Sequence, residues 1–374
     1  MKKTLLFVSI FLGFSQILQA QTTVLDTFNF DGYQRDYILY VPAIYDGSAA
    51  VPLVINLHGY GSNATQQSLY GNFKNLADVD NFLVVHPNGT NDLSGTRYWN
   101  AFVNAGAVDD VAFINELIDQ LSATYNIDQS KVFSTGMSNG GYMSYKLACE
   151  LDYRIAKIAS VTGSMNSNLF NNCAPGGPVP VMQIHGTSDL TVPYNGSIGV
   201  ASIEDVVDKW VAINNCDTTP MIFDLPDINT NDNCTAQRYT YANGTDDSEV
   251  ILYKITDGGH TWPNAIIELG GNNTNRDFDA SQVIWEFFKG EPFVGIRDHV
   301  NQTKVNMVYQ NDILLLSFPQ DYGTLDILVF NSLGQMIHKG KDKMIDASNW
   351  HTGYYRVYTQ TPEGVFNQAF MKYD

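Results

Sequence analysis

Apolar residues form two recurring patterns along the chain as far as residue 290. Short, nearly continuous apolar runs, such as 51–57 and 82–85, are typical of strands buried on both faces of a parallel sheet. Between them lie segments such as 111–121, in which apolar residues recur at the spacing of one helix face. This alternation predicts right-handed crossovers and a mostly parallel sheet with helices on both faces. Further strands are predicted at 37–41, 155–161, 179–184 and 249–255, and further helices at 65–79, 203–213 and 280–288.

The pattern changes near residue 291. From about residue 304 onward, short β-prone segments alternate with turn residues, which is typical of a small all-β fold. We therefore predict an α/β domain at 21–290, a linker at 291–303 and a β-sandwich-like module at 304–374. The predicted strands of this module are 313–318, 325–330, 336–338, 354–358 and 366–371.

The segment 131–150 carries the candidate nucleophile. A β-prone run leads into Gly136-Met-Ser138-Asn-Gly140, and helix-forming residues follow. A G-x-S-x-G sequence between a strand and a helix is typical of a nucleophile elbow, whose glycines allow a turn that exposes the serine Oγ. The backbone N–H of Asn139 would then face the position of an oxyanion. A plain Gly/Ser-rich turn is the alternative, and the flanking strand and helix argue against it.

A serine nucleophile needs a base and an acid that orients the base, and in such a fold the chain order is Ser, Asp, His. Asp189 follows the predicted strand 179–184 and is the candidate acid. His260 lies in a glycine-containing loop after the last predicted strand and is the candidate base. Asp205 and Asp208 are weaker candidates for the acid because they fall on a predicted helix.

The loop after the strand 51–57 is expected to supply a second oxyanion donor, from the backbone N–H of Tyr60 or of Gly61. His58, in the same loop, is expected to be a hydrogen-bonded structural residue. Trp99 and Trp262 are candidates for lining a substrate pocket, with plain packing as the alternative. The sequence predicts no metal site and no cofactor.

Four cysteines are expected to form two disulfides, because the chain reads as an exported protein. Three connectivities are possible, and we favour the sequential pairing Cys149–Cys173 and Cys216–Cys234. Metal binding by these cysteines is less favoured because no C-x-x-C or histidine pairing accompanies them.

Export is predicted from residues 1–20. Lys2 and Lys3 precede an apolar segment, and Ala20 suits cleavage before Gln21, as in a signal peptide. The apolar run is too short and too often interrupted to predict stable membrane insertion. The net charge of −18 argues against nucleic acid or an anionic membrane surface as a partner.

Six motifs stand in one order: LHGYGSN, YWNA, VDDVAFI, GMSNGGYM, HGTSDLTVPYNG and GGHTWP. Together they resemble the exported esterases grouped with polyhydroxybutyrate depolymerases and with feruloyl and acetylxylan esterases (carbohydrate esterase family 1). The resemblance covers roughly residues 37–289. It implies an α/β-hydrolase fold, metal-free ester hydrolysis and a triad of Ser138, Asp189 and His260. Tyr60 is a departure, because many relatives have cysteine there, and this puts substrate preference in doubt more than activity.

The C-terminal motifs VFNSLGQMI and DASNWHTGYYRV, with FMK near the end, resemble a sorting domain of the type IX secretion system of Bacteroidetes. This implies that the type IX machinery is a partner and that the protein crosses the outer membrane of a Gram-negative bacterium. Its destination would be the cell surface or the medium. A carbohydrate-binding module is the rival interpretation of the tail.

The sequence therefore predicts a secreted serine carboxylesterase that acts through an acyl-enzyme. Feruloyl or acetyl esters of polysaccharides are the favoured substrates, and a polyhydroxyalkanoate depolymerase is the runner-up. The alternatives are a non-catalytic polysaccharide-binding protein on a hydrolase scaffold and a peptidase with the same triad.

Overall fold

The computed structural model describes two separate units. The chain divides into residues up to Lys289 and residues from Gly290 onward. The described residues are 21–102, 108–265, 273–290, 306–310, 312–318, 325, 327–331, 336–361 and 364–372. The predicted signal peptide at 1–20 and the predicted linker at 291–303 lie outside them. No helix in these ranges combines the length and apolar character needed to cross a bilayer.

The larger unit is built on a ten-stranded sheet in the order β1-β2-β4-β3-β7-β8-β9-β12-β11-β10. The strands from β4 to β12 in that order run parallel, and antiparallel strands flank them on both sides. The strands are β1 (Thr22–Phe30), β2 (Tyr33–Val41), β3 (Val51–Leu57), β4 (Leu83–Pro87), β7 (Ile127–Met137), β8 (Lys157–Val161), β9 (Val181–Gly186), β10 (Met221–Asp224), β11 (Thr235–Tyr241) and β12 (Val250–Thr256). A separate hairpin consists of β5 (Thr90–Asn91) and β6 (Arg97–Tyr98).

Helices cover both faces of this sheet. They are α1 (Ala64–Tyr70), α2 (Lys74–Asp80), α3 (Asp110–Thr124), α4 (Asn139–Glu150), α5 (Ser167–Asn172), α6 (Ile203–Asn214) and α7 (Ala280–Lys289). The helices fall into two groups, each with its own buried cluster: one cluster contains side chains of α3, α4 and α6, the other side chains of α1, α2 and α7. Residues of β3 alternate between the clusters, with Leu53 and Ile55 in the first and Val54 in the second. The predicted α/β-hydrolase fold is confirmed.

Two local expectations differ from the structure. The single helix predicted at 65–79 is two short helices, α1 and α2. Gly71 ends the first, because its carbonyl accepts a hydrogen bond from Asn56 Nδ2 at 2.7 Å instead of continuing the helix. The polar segment between α6 and β12 was not predicted as strands, yet it forms the antiparallel edge β10–β11.

The predicted pairing Cys149–Cys173 is confirmed, with the two Cα atoms 5.2 Å apart. The predicted pairing Cys216–Cys234 is wrong, because both are buried free thiols. Cys216 lies beside Ser248, before the start of β12, whereas Cys234 precedes β11 at the level of the last residue of β12. The two ends of a seven-residue strand such as β12 lie about 20 Å apart. The two thiols are therefore far beyond the reach of a disulfide.

The smaller unit contains two antiparallel sheets. The first has the order β13-β14-β17 and the second β16-β15-β18-β19. Leu314 and Ile345 of the first sheet share one buried cluster with Val329 and Val357 of the second, which is the arrangement of a small sandwich. The strands are β13 (Asn306–Gln310), β14 (Ile313–Ser317), β15 (Ile327–Asn331), β16 (Met336–Gly340), β17 (Met344–Asp346), β18 (Gly353–Thr361) and β19 (Gly364–Lys372).

Candidate active site

Ser138 occupies a sharp turn between β7 and α4. Its φ is 55° and its ψ is −118°, a conformation that L-residues rarely adopt. Its own N–H donates to Val161 O at 2.8 Å, which fixes the turn to the end of the neighbouring strand β8. The side chain is partly exposed at the carboxyl edge of the sheet. These are the features of a nucleophile elbow.

The glycines of the elbow allow α4 to pack closely against the end of β3. A Cβ at Gly140 would lie 2.2 Å from Leu57 O, and one at Gly136 would lie 2.6 Å from the same oxygen. No residue with a side chain fits at either position without moving the main chain. The sequence G-x-S-x-G is therefore explained by this close approach as well as by the turn itself.

Asp189 and His260 are in direct contact. His260 Nδ1 donates to Asp189 Oδ2 at 2.7 Å, and the His260 side chain is 14% exposed. The other carboxylate oxygen, Oδ1, accepts the backbone N–H groups of Thr191 and Val192, each at 2.8 Å. The carboxylate is thus held by main-chain donors on one side and orients an imidazole on the other, as the acid of a catalytic triad does.

Two strand ends bring these residues together. Thr187 N–H donates to Ile255 O at 2.8 Å and Ser188 N–H donates to Gly258 O at 2.9 Å, so the loops after β9 and β12 are hydrogen-bonded to each other. Gly186 makes this possible, because a Cβ there would lie 2.2 Å from Gly258 O. The acid loop and the base loop therefore form one unit at the carboxyl edge of the sheet.

A second histidine, His185, lies beneath the carboxylate. Gln183 Nε2 donates to its Nδ1 at 2.9 Å, so the proton is on Nε2, which faces Val192 O at 2.9 Å and Asp189 Oδ2 at 3.3 Å. Burial raises the pKa of Asp189, but the hydrogen bonds from His185 and His260 outweigh it and hold this pKa well below its usual range. His185 was not among the residues predicted from the sequence, although it lies in the same motif as Asp189, HGTSD.

Ser138 Oγ makes no hydrogen bond to another residue in the described ranges. The structure thus joins Asp189 to His260 directly, while Ser138 stands at the same edge of the sheet, in the turn that follows β7. In unliganded enzymes the contact between nucleophile and base is often long and shortens only when substrate binds.

The loop after β3 adjoins the nucleophile. A Cβ placed on Gly59 would lie 3.5 Å from Ser138 Cβ. Gly61 N–H is already used, since it donates to Arg97 O at 2.8 Å. Within the described part of the chain, the N–H groups of Tyr60 and Asn139 donate to no other main-chain atom. Of the two donors considered in this loop, Tyr60 is the one that is available, together with Asn139 at the first position of α4.

His58 has the structural role expected of it. It is fully buried, its Nδ1–H faces Gly59 O at 2.8 Å, and its Nε2 accepts the N–H of Gly89 at 3.0 Å. Burial lowers the pKa of His58 to about 4, so the ring is neutral near pH 7. A neutral ring with both nitrogens satisfied holds the loop and is not a proton carrier.

The prediction that the side chains of Trp99 and Trp262 line a substrate pocket is not supported by the structure, and we correct it. Both indoles are buried, at 0% and 2% exposure. The Trp262 indole N–H donates to Ser281 Oγ at 3.2 Å and its ring meets Phe73 edge-on. The Trp99 indole N–H donates to His58 O at 3.0 Å. The position of an aromatic residue on a predicted loop did not distinguish packing from binding.

Comparisons with known proteins find that the chain is similar to proteins with esterase names. Residues 35–203, less than half of the chain, match the family model Esterase PHB depolymerase. "Probable feruloyl esterase C" of Aspergillus clavatus is 32% identical over 197 residues, which are 49% of this chain and 62% of that protein. "Probable feruloyl esterase C" of Aspergillus niger is 28% identical over 262 residues, 68% of this chain and 83% of that protein. The solved acetyl xylan esterase from Aspergillus awamori has 18% identity and a TM-score of 0.47, covering 64% of this chain and 94% of its own.

The chain therefore spans less than two thirds of the Aspergillus clavatus relative. The "Bifunctional acetylxylan esterase/xylanase XynS20E" of Neocallimastix patriciarum is 30% identical over 168 residues, 44% of this chain and 22% of that protein. The predicted resemblance to polyhydroxybutyrate depolymerases and to feruloyl and acetylxylan esterases is confirmed. The resemblance of the tail to a type IX sorting domain stays a prediction.

Proposed function

We propose that the chain is a serine carboxylic-ester hydrolase with Ser138 as nucleophile, His260 as base and Asp189 as acid. The observation that carries the proposal is the 2.7 Å hydrogen bond from His260 Nδ1 to Asp189 Oδ2, at the sheet edge where Ser138 adopts the strained elbow conformation. Asp189 fixes the tautomer of His260 so that Nε2 is free to accept a proton. Two of the relatives to which the chain is similar carry esterase names.

The reaction proceeds in two steps. Ser138 Oγ attacks the ester carbonyl while His260 takes its proton, and the protonated ring then gives that proton to the departing alcohol. Water, deprotonated by His260, attacks the acyl-enzyme and releases the acid. The N–H groups of Asn139 and Tyr60 donate to the oxyanion in both steps, a contribution of roughly 3 kcal/mol per donor at comparable sites.

Feruloyl or acetyl esters of polysaccharides are the substrates we propose. The names of the relatives, feruloyl esterase C and acetylxylan esterase/xylanase, support this choice. The name of the matching family model supports the second candidate, a polyhydroxyalkanoate depolymerase. Both share the mechanism above and differ only in the acyl group and the alcohol.

Export completes the proposal. Residues 1–20 are proposed as a signal peptide, 21–290 as the catalytic domain, and 304–374 as a sorting domain read by the type IX machinery. The signal-peptide pattern and the Cys149–Cys173 disulfide support an oxidising, extracytoplasmic destination. The sandwich-like tail supports a separate module.

The test is a substrate panel with a matched pair of serine variants. The chain from Gln21 onward, its Ser138→Ala variant and its Ser188→Ala variant are assayed on methyl ferulate, acetylated xylan and polyhydroxybutyrate. Ser188 is an exposed serine of the acid loop, so its variant should keep full activity. Release of ferulate or acetate by all but Ser138→Ala supports the proposal.

Three other results would change it. Cleavage of the polyester alone would keep the mechanism and replace the substrate. Hydrolysis of a panel of peptides, assayed in parallel, in place of esters would point to the peptidase alternative. Binding of xylan without hydrolysis of any ester would favour the non-catalytic polysaccharide-binding alternative.

A further inference from the structure

The segment from Thr90 to Trp99, here called the strap, lies against both parts of the oxyanion site. It contains the small hairpin β5–β6, which is not part of the large sheet, and ends in a fully buried tryptophan. The strap contributes no residue to the proposed triad. Its hydrogen bonds nevertheless go to the two segments that carry the proposed donors.

The outer part of the strap holds the loop of the first donor. Arg97 O accepts the N–H of Gly61 at 2.8 Å, and Asp92 Oδ2 accepts the hydroxyl of Tyr60 at 2.7 Å. Hydrogen bonds from Ser94 and Tyr60 lower the pKa of Asp92 to about 2, so it is an ionised acceptor at neutral pH. Tyr60 is therefore fixed through its side chain, and its neighbour Gly61 through the main chain.

Trp99, the last residue of the strap, is hydrogen-bonded to both segments that carry the proposed donors. Trp99 N–H donates to Asn139 Oδ1 at 2.6 Å, and Asn139 Nδ2 donates back to Trp99 O at 3.1 Å. The indole N–H of the same tryptophan donates to His58 O at 3.0 Å, and its ring packs on the His58 ring with centroids 5.0 Å apart. Trp99 thus links the residue after the nucleophile to the residue that begins the Tyr60 loop.

We propose that the strap positions the oxyanion hole and that Trp99 fixes the spacing between the N–H groups of Tyr60 and Asn139. The inference rests on the proposed function, because it concerns the hole of that same site. Two donors stabilise one oxyanion only when both lie about 2.7–3.1 Å from it. They come from different segments, the loop after β3 and the start of α4, so a link between these segments must hold that geometry. Trp99 is a positioning residue: it acts through His58 and Asn139 and does not itself reach the substrate.

The test compares two Trp→Phe variants, each of which loses one hydrogen bond donated by a buried indole N–H. Trp99→Phe removes the indole N–H that His58 O accepts and keeps an aromatic ring. Trp285→Phe is the matched control. Trp285 lies on α7, away from the oxyanion site, and its buried indole N–H donates to Asp80 Oδ2 at 2.5 Å. We expect Trp99→Phe to lower kcat on the order of tenfold to a hundredfold. KM and the pH dependence of kcat/KM should stay the same, because substrate contacts and the triad are unaltered. Trp285→Phe should keep its kcat.

A second variant guards against misfolding. Tyr60 is more than half exposed, so Tyr60→Phe should fold normally and lose only the bond to Asp92. Its kcat should fall by about two- to tenfold, with KM unchanged. Binding of a boronic acid that mimics the tetrahedral intermediate should weaken by the same factor as kcat in each variant, because both depend on the hole.

Three outcomes would overturn the inference: an unchanged kcat in both Trp99→Phe and Tyr60→Phe, an equal loss in Trp285→Phe, or a loss that appears in KM. Labelling of Ser138 by a fluorophosphonate separates this inference from the proposed substrate. If no ester is cleaved but the wild type labels and Trp99→Phe labels more slowly, the positioning role stands and the substrate proposal falls. If wild-type Ser138 does not label, the proposed function falls and the inference with it.

Discussion

Replacing Asp189 by asparagine tests the acid of the proposed triad without changing its size. The structure determines how the new amide would lie. Thr191 and Val192 both point an N–H at Oδ1, so the amide oxygen must take that position. The amide NH₂ then takes the position of Oδ2, 2.7 Å from His260 Nδ1. It donates to Nδ1 and forces the proton of the neutral ring onto Nε2, the atom that must accept the proton of Ser138.

The expected loss follows from this change of tautomer. In serine hydrolases where the same exchange was made, kcat falls by about 10⁴, which corresponds to about 5.5 kcal/mol of transition-state stabilisation. We expect a loss of this size in kcat, with KM little changed, because Asp189 is buried and does not face the substrate. The rest of the fold should stay intact, since the two main-chain hydrogen bonds to Oδ1 are kept. His185 Nε2–H loses Oδ2 as an acceptor but still donates to Val192 O at 2.9 Å.

The assay is steady-state hydrolysis of an activated aryl ester, with circular dichroism as a check on folding. Asp257→Asn is the matched control, because it removes the same charge from an exposed residue of the neighbouring base loop. It should retain wild-type kcat. If folded Asp189→Asn kept more than about a tenth of the wild-type kcat, the tautomer argument and the assignment of Asp189 as the acid would both be refuted.

Further predictions concern stability. Cys149 and Cys173 have a sequence separation of 24, so changing both to alanine should lower the free energy of unfolding by about 3.5 kcal/mol. Urea denaturation measures this, and an unchanged value would contradict it. Burial lowers the pKa of His86 to about 3, whereas an unfolded histidine titrates near pH 6.5. The unfolded chain therefore binds an extra proton below that pH, and the unfolding free energy should decrease by up to about 1.4 kcal/mol for each pH unit lost. His86→Gln should reduce this slope, and equal slopes would refute the assignment. A Cβ at Gly140 would lie 2.2 Å from a carbonyl oxygen of β3. Gly140→Ala should therefore lower the free energy of unfolding by about 3 kcal/mol or more. Gly177→Ala, where an added Cβ meets nothing within 4 Å, is the control for the same denaturation measurement, and equal losses would contradict the steric argument.

The central part of the fold was predictable because its signals are local. A run such as Val51–Leu57 is apolar at nearly every position, and only a strand covered on both faces needs that pattern. The edge hairpin β10–β11 was missed for the opposite reason. Its outer strand, β10, is largely exposed, so the sequence there does not differ from that of a polar loop. The wrong disulfide has the same origin, because the strand β11, which begins directly after Cys234 and places it at the far end of β12 from Cys216, was not anticipated.

The candidate site was predictable as far as chain order and strand ends determine it. Ser138, Asp189 and His260 each follow a strand, and parallel strands place their carboxyl ends at one edge. The partners of Trp99 could not be read in this way. Its hydrogen bonds reach residues 41 and 40 positions away, His58 and Asn139, and no local pattern encodes them.

Trapping the acyl-enzyme tests the central claim most directly. The wild-type chain from Gln21 onward is mixed with an aryl ferulate or aryl acetate, quenched in acid during turnover, digested and examined by mass spectrometry. The account predicts that the acyl group is found on the peptide that contains Ser138, and that Ser138→Ala neither carries it nor turns over. An acyl group on any other residue, or turnover by Ser138→Ala at the wild-type rate, would contradict the account.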